Sequence, residues 1–107
     1  MKVTLYSLIG LIGLANCSSD FKSCTEYVHS STVRAIREAD KLKAYGLYKQ
    51  ATSGDCPAEL APNSDIYART KHTAWCSQRG KSREVAEVEY VALIDRLAPE
   101  WRDAIKN

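Results

Sequence analysis

Two tyrosine–lysine pairs and a tryptophan carry the strongest chemical suggestion in this sequence. Tyr45 and Lys49 are four residues apart, and Tyr67 and Lys71 repeat the spacing; Tyr48 lies beside the first pair and Trp75 one turn beyond the second. On a helix, residues four apart stack on one face. An aromatic ring next to an ammonium suits a ligand that carries both phosphates and a flat heteroaromatic base. The cation meets phosphate oxygens in charge-assisted bonds, and the ring stacks on the base. Taken alone, any one of these tyrosines reads first as an amphipathic core residue with its hydroxyl at the surface. Their repetition beside lysines is what points to a ligand.

Catalysis has no comparable support. His29 and His72 read as surface residues, although the fold could bring one of them to Cys24 or Cys76. There is no glycine-rich phosphate loop, H-E-x-x-H pair or carboxylate constellation. The chain is therefore expected to be a binding protein, not an enzyme, with no catalytic residue, metal site or cofactor. The cysteines are Cys17, Cys24, Cys56 and Cys76, and no two share the C-x-x-C spacing of zinc or redox sites. Each is expected to be a small buried or half-buried thiol. An oxidising compartment would allow one disulfide, without the sequence saying which.

The 107 residues allow one domain of ordinary size. With 45% hydrophobic and 26% charged residues, the chain is neither disordered nor a polytopic membrane protein. A net charge of +2 is too mild for gripping duplex DNA, so no nucleic-acid partner is expected. Charge is nonetheless local. Arg69, Lys71, Arg79, Lys81 and Arg83 fall in a stretch without carboxylates, whereas the last segment is rich in Glu and Asp. Solvated helix faces would explain this as well as an anion-binding rim would.

Residues 1–19 contain the apolar run Val3 to Ala15 behind Lys2, followed by Asn16-Cys17-Ser18-Ser19. That pattern reads as a signal peptide or signal anchor, with a buried N-terminal helix or interfacial anchor as the alternative. The run is too short to span a bilayer, which takes roughly 20 apolar residues. Leu14-Ala15-Asn16-Cys17 also resembles a lipoprotein cleavage box, without downstream support. A secretory or membrane-associated location is expected, with the cytoplasm as the alternative.

Residues 20–107 then form one domain of four helices. The first runs from Asp20, as N-cap, to His29, burying Phe21, Cys24, Tyr27 and Val28. The second spans Val33 to Ser53 and stops at Gly54, where a left-handed residue ends a helix. After a loop broken by Pro57 and Pro62, the third runs from Asp65 to Arg79 and stops at Gly80. Ser82 caps the fourth, which carries Val85, Val88, Val91, Ile94, Leu97 and Trp101 as its apolar stripe. Pro99 closes it or begins a last turn. The fold class is all-α.

Tyr45-Gly-Leu-Tyr48-Lys49-Gln50-Ala51-Thr52-Ser53-Gly54-Asp55 resembles the Y-x-L-Y-K-Q-A-T-x-G-D signature of acyl-CoA-binding proteins. Lys71-His72-Thr73-Ala74-Trp75 is similar to the family's K-W-x-A-W, and Gly80-Lys-Ser82-Arg-Glu84-Val-Ala86 to its G-x-S-x-E-x-A, with Tyr90 following. Leu97-Ala-Pro-Glu-Trp101 resembles a frequent family ending, and Phe21 to Val28 fits the first family helix loosely. The resemblance implies an up-down-down-up four-helix bundle that binds long-chain acyl-CoA without chemistry and acts as a carrier or pool former in lipid metabolism. It places the ligand at Tyr45, Tyr48, Lys49, Lys71 and Tyr90, with the acyl chain in an apolar bowl. His29 stands where the family has Lys, and Tyr67 where a base is common, and both are further candidates for the site. His72 replaces the first Trp of K-W-x-A-W. The expected partner is long-chain fatty acyl-CoA, the expected state a monomer, and residues 1–19 offer membrane association. The competing expectation is a secreted or anchored helical interaction protein that has kept the bundle and lost the ligand.

Overall fold

The computed structural model describes residues 19–30 and 36–104, and every regular element among them is helical. Residues 19–30 form α1, followed by α2 (Glu38–Ser53), α3 (Ile66–Cys76), α4 (Arg83–Leu97) and the short α5 (Trp101–Ala104). No described helix is long and apolar enough to cross a membrane. The hydrophobic run before Asn16 and the Val33 start of the second helix lie outside the described residues.

Local signals explain most boundaries. Asp65 caps α3 through a 2.8 Å bond from the Ala68 amide to its Oδ1, and Ser82 caps α4 through a 3.1 Å bond from the Val85 amide. Gly54 ends α2 with φ at +84°, a conformation that costs other residues energy. Other boundaries depart from expectation. Asp20 is not a cap: the described helix already includes Ser19, and the Asp20 carboxylate instead receives Arg102 Nη1 at 3.4 Å. Ile36 and Arg37 are not helical. Arg37 is the extended N-cap of α2, and Glu38 and Asp40 occupy the first turn, where negative charge suits the helix dipole. α3 stops at Cys76, not Arg79, because Gln78 and Arg79 donate to the carbonyls of Trp75 and Cys76 in tight three-residue turns that lead into Gly80.

α2 is the central element, packed against α4 on one side and α3 on the other. Its start meets the end of α4, where Arg96 Nη2 lies 3.5 Å from Asp40 Oδ1. Its end meets the start of α4, where Gln50 Nε2 donates 3.0 Å to the Lys81 carbonyl. The two helices are therefore antiparallel. Against α3 the register runs the other way, Tyr45 facing Lys71 and Lys49 facing Trp75, so α2 and α3 are parallel. Residues 54–65 make that return possible: extended chain covers about 3.3–3.6 Å per residue against 1.5 Å in a helix. With α1 this is the expected up-down-down-up bundle.

Gly46 sets how closely α3 approaches. A Cβ there would stand 2.3 Å from the Ala74 carbonyl oxygen. Phe21, Cys24, Leu47, Tyr90, Ile94 and Trp101 are among the core residues shared by α1, α2, α4 and α5. Val91, Ile94 and Trp101 of the expected stripe are buried, but at the start of α4 it is displaced: Val85 and Val88 are 44% and 38% exposed, while Ala86 and Tyr90 are buried. Small Ala86 faces inward because the helices pack tightly there, a preference that hydrophobicity alone does not reveal. Beyond Pro99, α5 is pinned by Asp95. Its carboxylate accepts Trp101 Nε1 at 2.8 Å and both Arg102 Nε and Nη2, at 2.8 and 3.0 Å.

Candidate ligand site on α2 and α3

The tyrosines and lysines singled out above fall into two adjoining groups. In the first, α3 presents Lys71 between two rings, its ammonium 4.8 Å from the centre of Tyr45 and 5.1 Å from that of Tyr67. One turn along the interface, the Lys49 ammonium stands 4.7 Å over the Trp75 ring. Both lysines are half-buried, and Tyr67 is 62% exposed at the start of α3. The second group forms where α1 crosses α2. Tyr48 receives the edge of His29 at 5.1 Å and stacks near Phe21 at 6.2 Å; Tyr90 lies 6.3 Å from Tyr48 and 5.3 Å from Phe21.

Tyr90 differs from the others in being 2% exposed. Burial, chiefly, pushes its phenol well above the ordinary tyrosine pKa, so it stays protonated. It serves as the packed floor beneath Tyr48, whereas Tyr45, Tyr48 and Tyr67 keep surface. His29 is exposed.

Several other cations of the fold are held in ion pairs. Arg83 pairs with Glu87, Lys81 with Glu89, Arg96 with Asp40, and Arg102 with Asp95 and Asp20. Among the described residues, Lys49 and Lys71 pair with no carboxylate and rest on aromatic faces instead. A cation over a ring is held by about 0.5–1 kcal/mol at an exposed site. That is less than a charge-assisted bond offers, so an incoming phosphate can claim either ammonium.

The rest of the Gln50–Asp55 run is structural. Gln50 Nε2 donates 2.8 Å to Asp55 Oδ1, which also accepts the Gly80 amide at 2.9 Å. The Gly80 amide, then Gln50, hold the Asp55 carboxyl below its usual pKa range. Trp75 Nε1 donates 2.7 Å to the Gly54 carbonyl. The end of α2, the turn after α3 and the approach to α4 are thus knotted together beside Lys49. A separate groove of about 530 Å³ lies on another face of α2, lined by Leu42, Lys43, Thr70, Thr73 and Ala74 among others.

The cysteines correct one expectation. Cys56 and Cys76 are not free thiols but a disulfide, with Cα atoms 5.2 Å apart. It clamps the loop after α2 to the last residue of α3. Their pairing depends on the path of residues 54–65, which no local spacing encodes. His72 completes a group with them: its Nε2 lies 2.7 Å from the Pro57 carbonyl and 3.4 Å from Cys76 Sγ. The four-residue step from His72 to Cys76 on one helix was the signal available in the sequence. Cys24 remains a buried thiol, as expected, its pKa pushed up to about 12 by burial and then by Asp95.

Residues 18–94 match the family model described as acyl CoA binding protein. The acyl-CoA-binding protein of Dictyostelium discoideum is 42% identical over 81 residues, 76% of this chain and 95% of that protein. The acyl-CoA-binding domain-containing protein 6 homolog of the same organism is 33% identical over 86% of this chain, which spans only 33% of that longer protein. Among solved structures, the acyl CoA binding protein from Babesia bovis superposes with a TM-score of 0.69 at 40% identity, covering 80% of this chain and 98% of its own. A four-helix bundle with an aromatic–lysine seam between two parallel helices is the class that fold and site define. The chain belongs to the acyl-CoA-binding protein family.

Proposed function

We propose that this chain binds long-chain fatty acyl-CoA thioesters without covalent chemistry and carries them. Lys49 and Lys71 take the phosphates, Tyr45 and Tyr67 flank the base, and the acyl chain runs toward Phe21, Tyr48 and Val28 where α1 crosses α2. The observation that carries this reading is the pair of ammoniums held on aromatic rings, and not by carboxylates, across the α2–α3 seam.

Both ends of the ligand are needed. A charge-assisted bond contributes roughly 1.5–3 kcal/mol and each sheltered methylene about 0.8 kcal/mol. Two lysine contacts and eight to ten methylenes give gross terms on the order of 10 kcal/mol before ordering costs. Titration calorimetry with palmitoyl-CoA, CoA and palmitate tests this. One-to-one binding of palmitoyl-CoA, with much weaker binding of the two fragments, is the expected result. A folded protein that gives no palmitoyl-CoA binding would leave an interaction protein that has kept only the bundle. Steady thiol release from the bound thioester would instead make it an enzyme.

Residues 1–19 are read as a leader that directs residues 20–107 into the secretory pathway or to a membrane, with the protein working as a monomer. The Cys56–Cys76 disulfide supports this reading, because such bonds persist in oxidising compartments. The N-terminal residue and mass of the protein isolated from its own cell test it. An intact Met1 in the soluble cytosolic fraction would overturn it.

A further inference from the structure

Cys56, Cys76 and His72 do more than close a loop. Their ligand atoms all lie within 4.8 Å of one another, contributed by the loop after α2 and by two positions one turn apart on α3. The imidazole is oriented. A carbonyl has no proton to give, so the 2.7 Å contact between His72 Nε2 and the Pro57 oxygen is a bond donated by the ring. In the neutral imidazole this leaves the lone pair on Nδ1, 3.9 Å from Cys76 Sγ. Metal-binding histidines are commonly fixed this way, one nitrogen donating to a backbone carbonyl and the other facing the metal. At the other sulfur, Arg79 Nη2 donates to Cys56 Sγ at 3.1 Å and also to the Cys56 carbonyl at 3.1 Å. A guanidinium at that distance favours thiolate over thiol once the sulfur is reduced.

We propose that Cys56, Cys76 and His72 form a redox-gated site for a soft divalent cation of the zinc type, closed as a disulfide when oxidised and metal-binding when reduced. With Zn–S about 2.3 Å and Zn–N about 2.0–2.1 Å at tetrahedral angles, ligand atoms stand about 3.5–3.8 Å apart. The Nδ1–Sγ separation is already close to that value; because Cys76 Sγ lies nearer Nε2, at 3.4 Å, the ring must also turn to aim Nδ1 at the metal as the sulfurs part from bonding distance. Two thiolates and one imidazole make three ligands, and water takes the fourth position. Opening the site takes a dithiol reductant. Its two thiols pass two electrons and two protons to the Cys56–Cys76 bond and close into a disulfide themselves, and the metal then displaces both thiol protons to solvent. The same three residues thus clamp the loop to α3 in either redox state, by a covalent bond or by a metal.

Cobalt(II) is the probe, because thiolate ligation gives near-ultraviolet charge-transfer bands and tetrahedral geometry gives visible ones. The full chain is reduced with dithiothreitol, desalted under nitrogen and titrated, with its helicity followed by circular dichroism. One Co²⁺ per chain with both band sets, displaced by Zn²⁺, is expected from the reduced protein, and neither band from the oxidised one. His72→Gln, which leaves both thiols in place, should weaken binding at least 10-fold. The Cys56→Ser, Cys76→Ser double variant should abolish the charge-transfer bands, and Cys17→Ser should leave them unchanged. Absence of the bands in the reduced chain would overturn the proposal. So would charge-transfer bands that survive in the Cys56→Ser, Cys76→Ser double variant or an affinity that His72→Gln leaves unaltered, since either puts the metal elsewhere.

Discussion

The ammonium of Lys71 lies 4.8 Å from the centre of the Tyr45 ring, joining α3 to α2 through the face of an aromatic and not through an ion pair. The contact keeps a positive charge at the seam without neutralising it. Replacing Lys71 or Lys49 by Ala should therefore weaken palmitoyl-CoA binding by about 1–3 kcal/mol, roughly 5- to 150-fold, with little loss of helicity. Calorimetry on each variant checks the affinity, and circular dichroism the fold.

Gly46→Ala addresses the spacing beneath that seam. The added methyl would meet the Ala74 carbonyl oxygen at 2.3 Å, against backbone that cannot swing aside. Stability should fall by about 1–3 kcal/mol, read as a lower urea midpoint. Because α3 must move outward, Lys71 leaves Tyr45, and palmitoyl-CoA affinity should fall as well.

The C-terminal turn should be sensitive to acid. Hydrogen bonds from Arg102, then Trp101, hold the Asp95 carboxyl below its usual range. A carboxylate whose folded pKa is depressed binds fewer protons folded than unfolded. Its contribution is full above the unfolded value of about 3.9 and is lost as pH falls through the lower folded one. Asp95→Asn should thus lower the urea midpoint at pH 7, and its deficit relative to the parent should shrink toward pH 2.

The disulfide closes a segment with a sequence separation of 20. In the chain-entropy account a loop of that size is worth about 3 kcal/mol. Chelator-treated protein should show a lower melting temperature after reduction, and the Cys56→Ser, Cys76→Ser double variant should match it without reductant. A melting temperature indifferent to reduction would mean the clamp contributes nothing to stability.

What the sequence disclosed divides by range. Lys71 and Trp75 on one helix, Tyr45 and Lys49 on another, and the cap Ser82 are local facts, and each stands in the structure as read, whereas Asp65, read as the first residue of the third helix, is its N-cap. The signature run supplied the partnership between the two helices, since no spacing says that α2 and α3 lie side by side in parallel. Pairing of Cys56 with Cys76 was hidden because it depends on a loop path. The burial of Ala86 in place of Val85 or Val88 was hidden because close packing selects for size as well as apolarity. Tyr90 was legible as a residue that belongs with Tyr48, but not as one sealed beneath it.

A crystal structure with palmitoyl-CoA bound tests the central claim most directly. The account predicts phosphate oxygens within hydrogen-bond reach of Lys49 and Lys71, with the adenine against Tyr45 or Tyr67. A nucleotide seated instead in the groove beside Leu42, Lys43 and Thr73, with both lysines still resting on their rings, would contradict it.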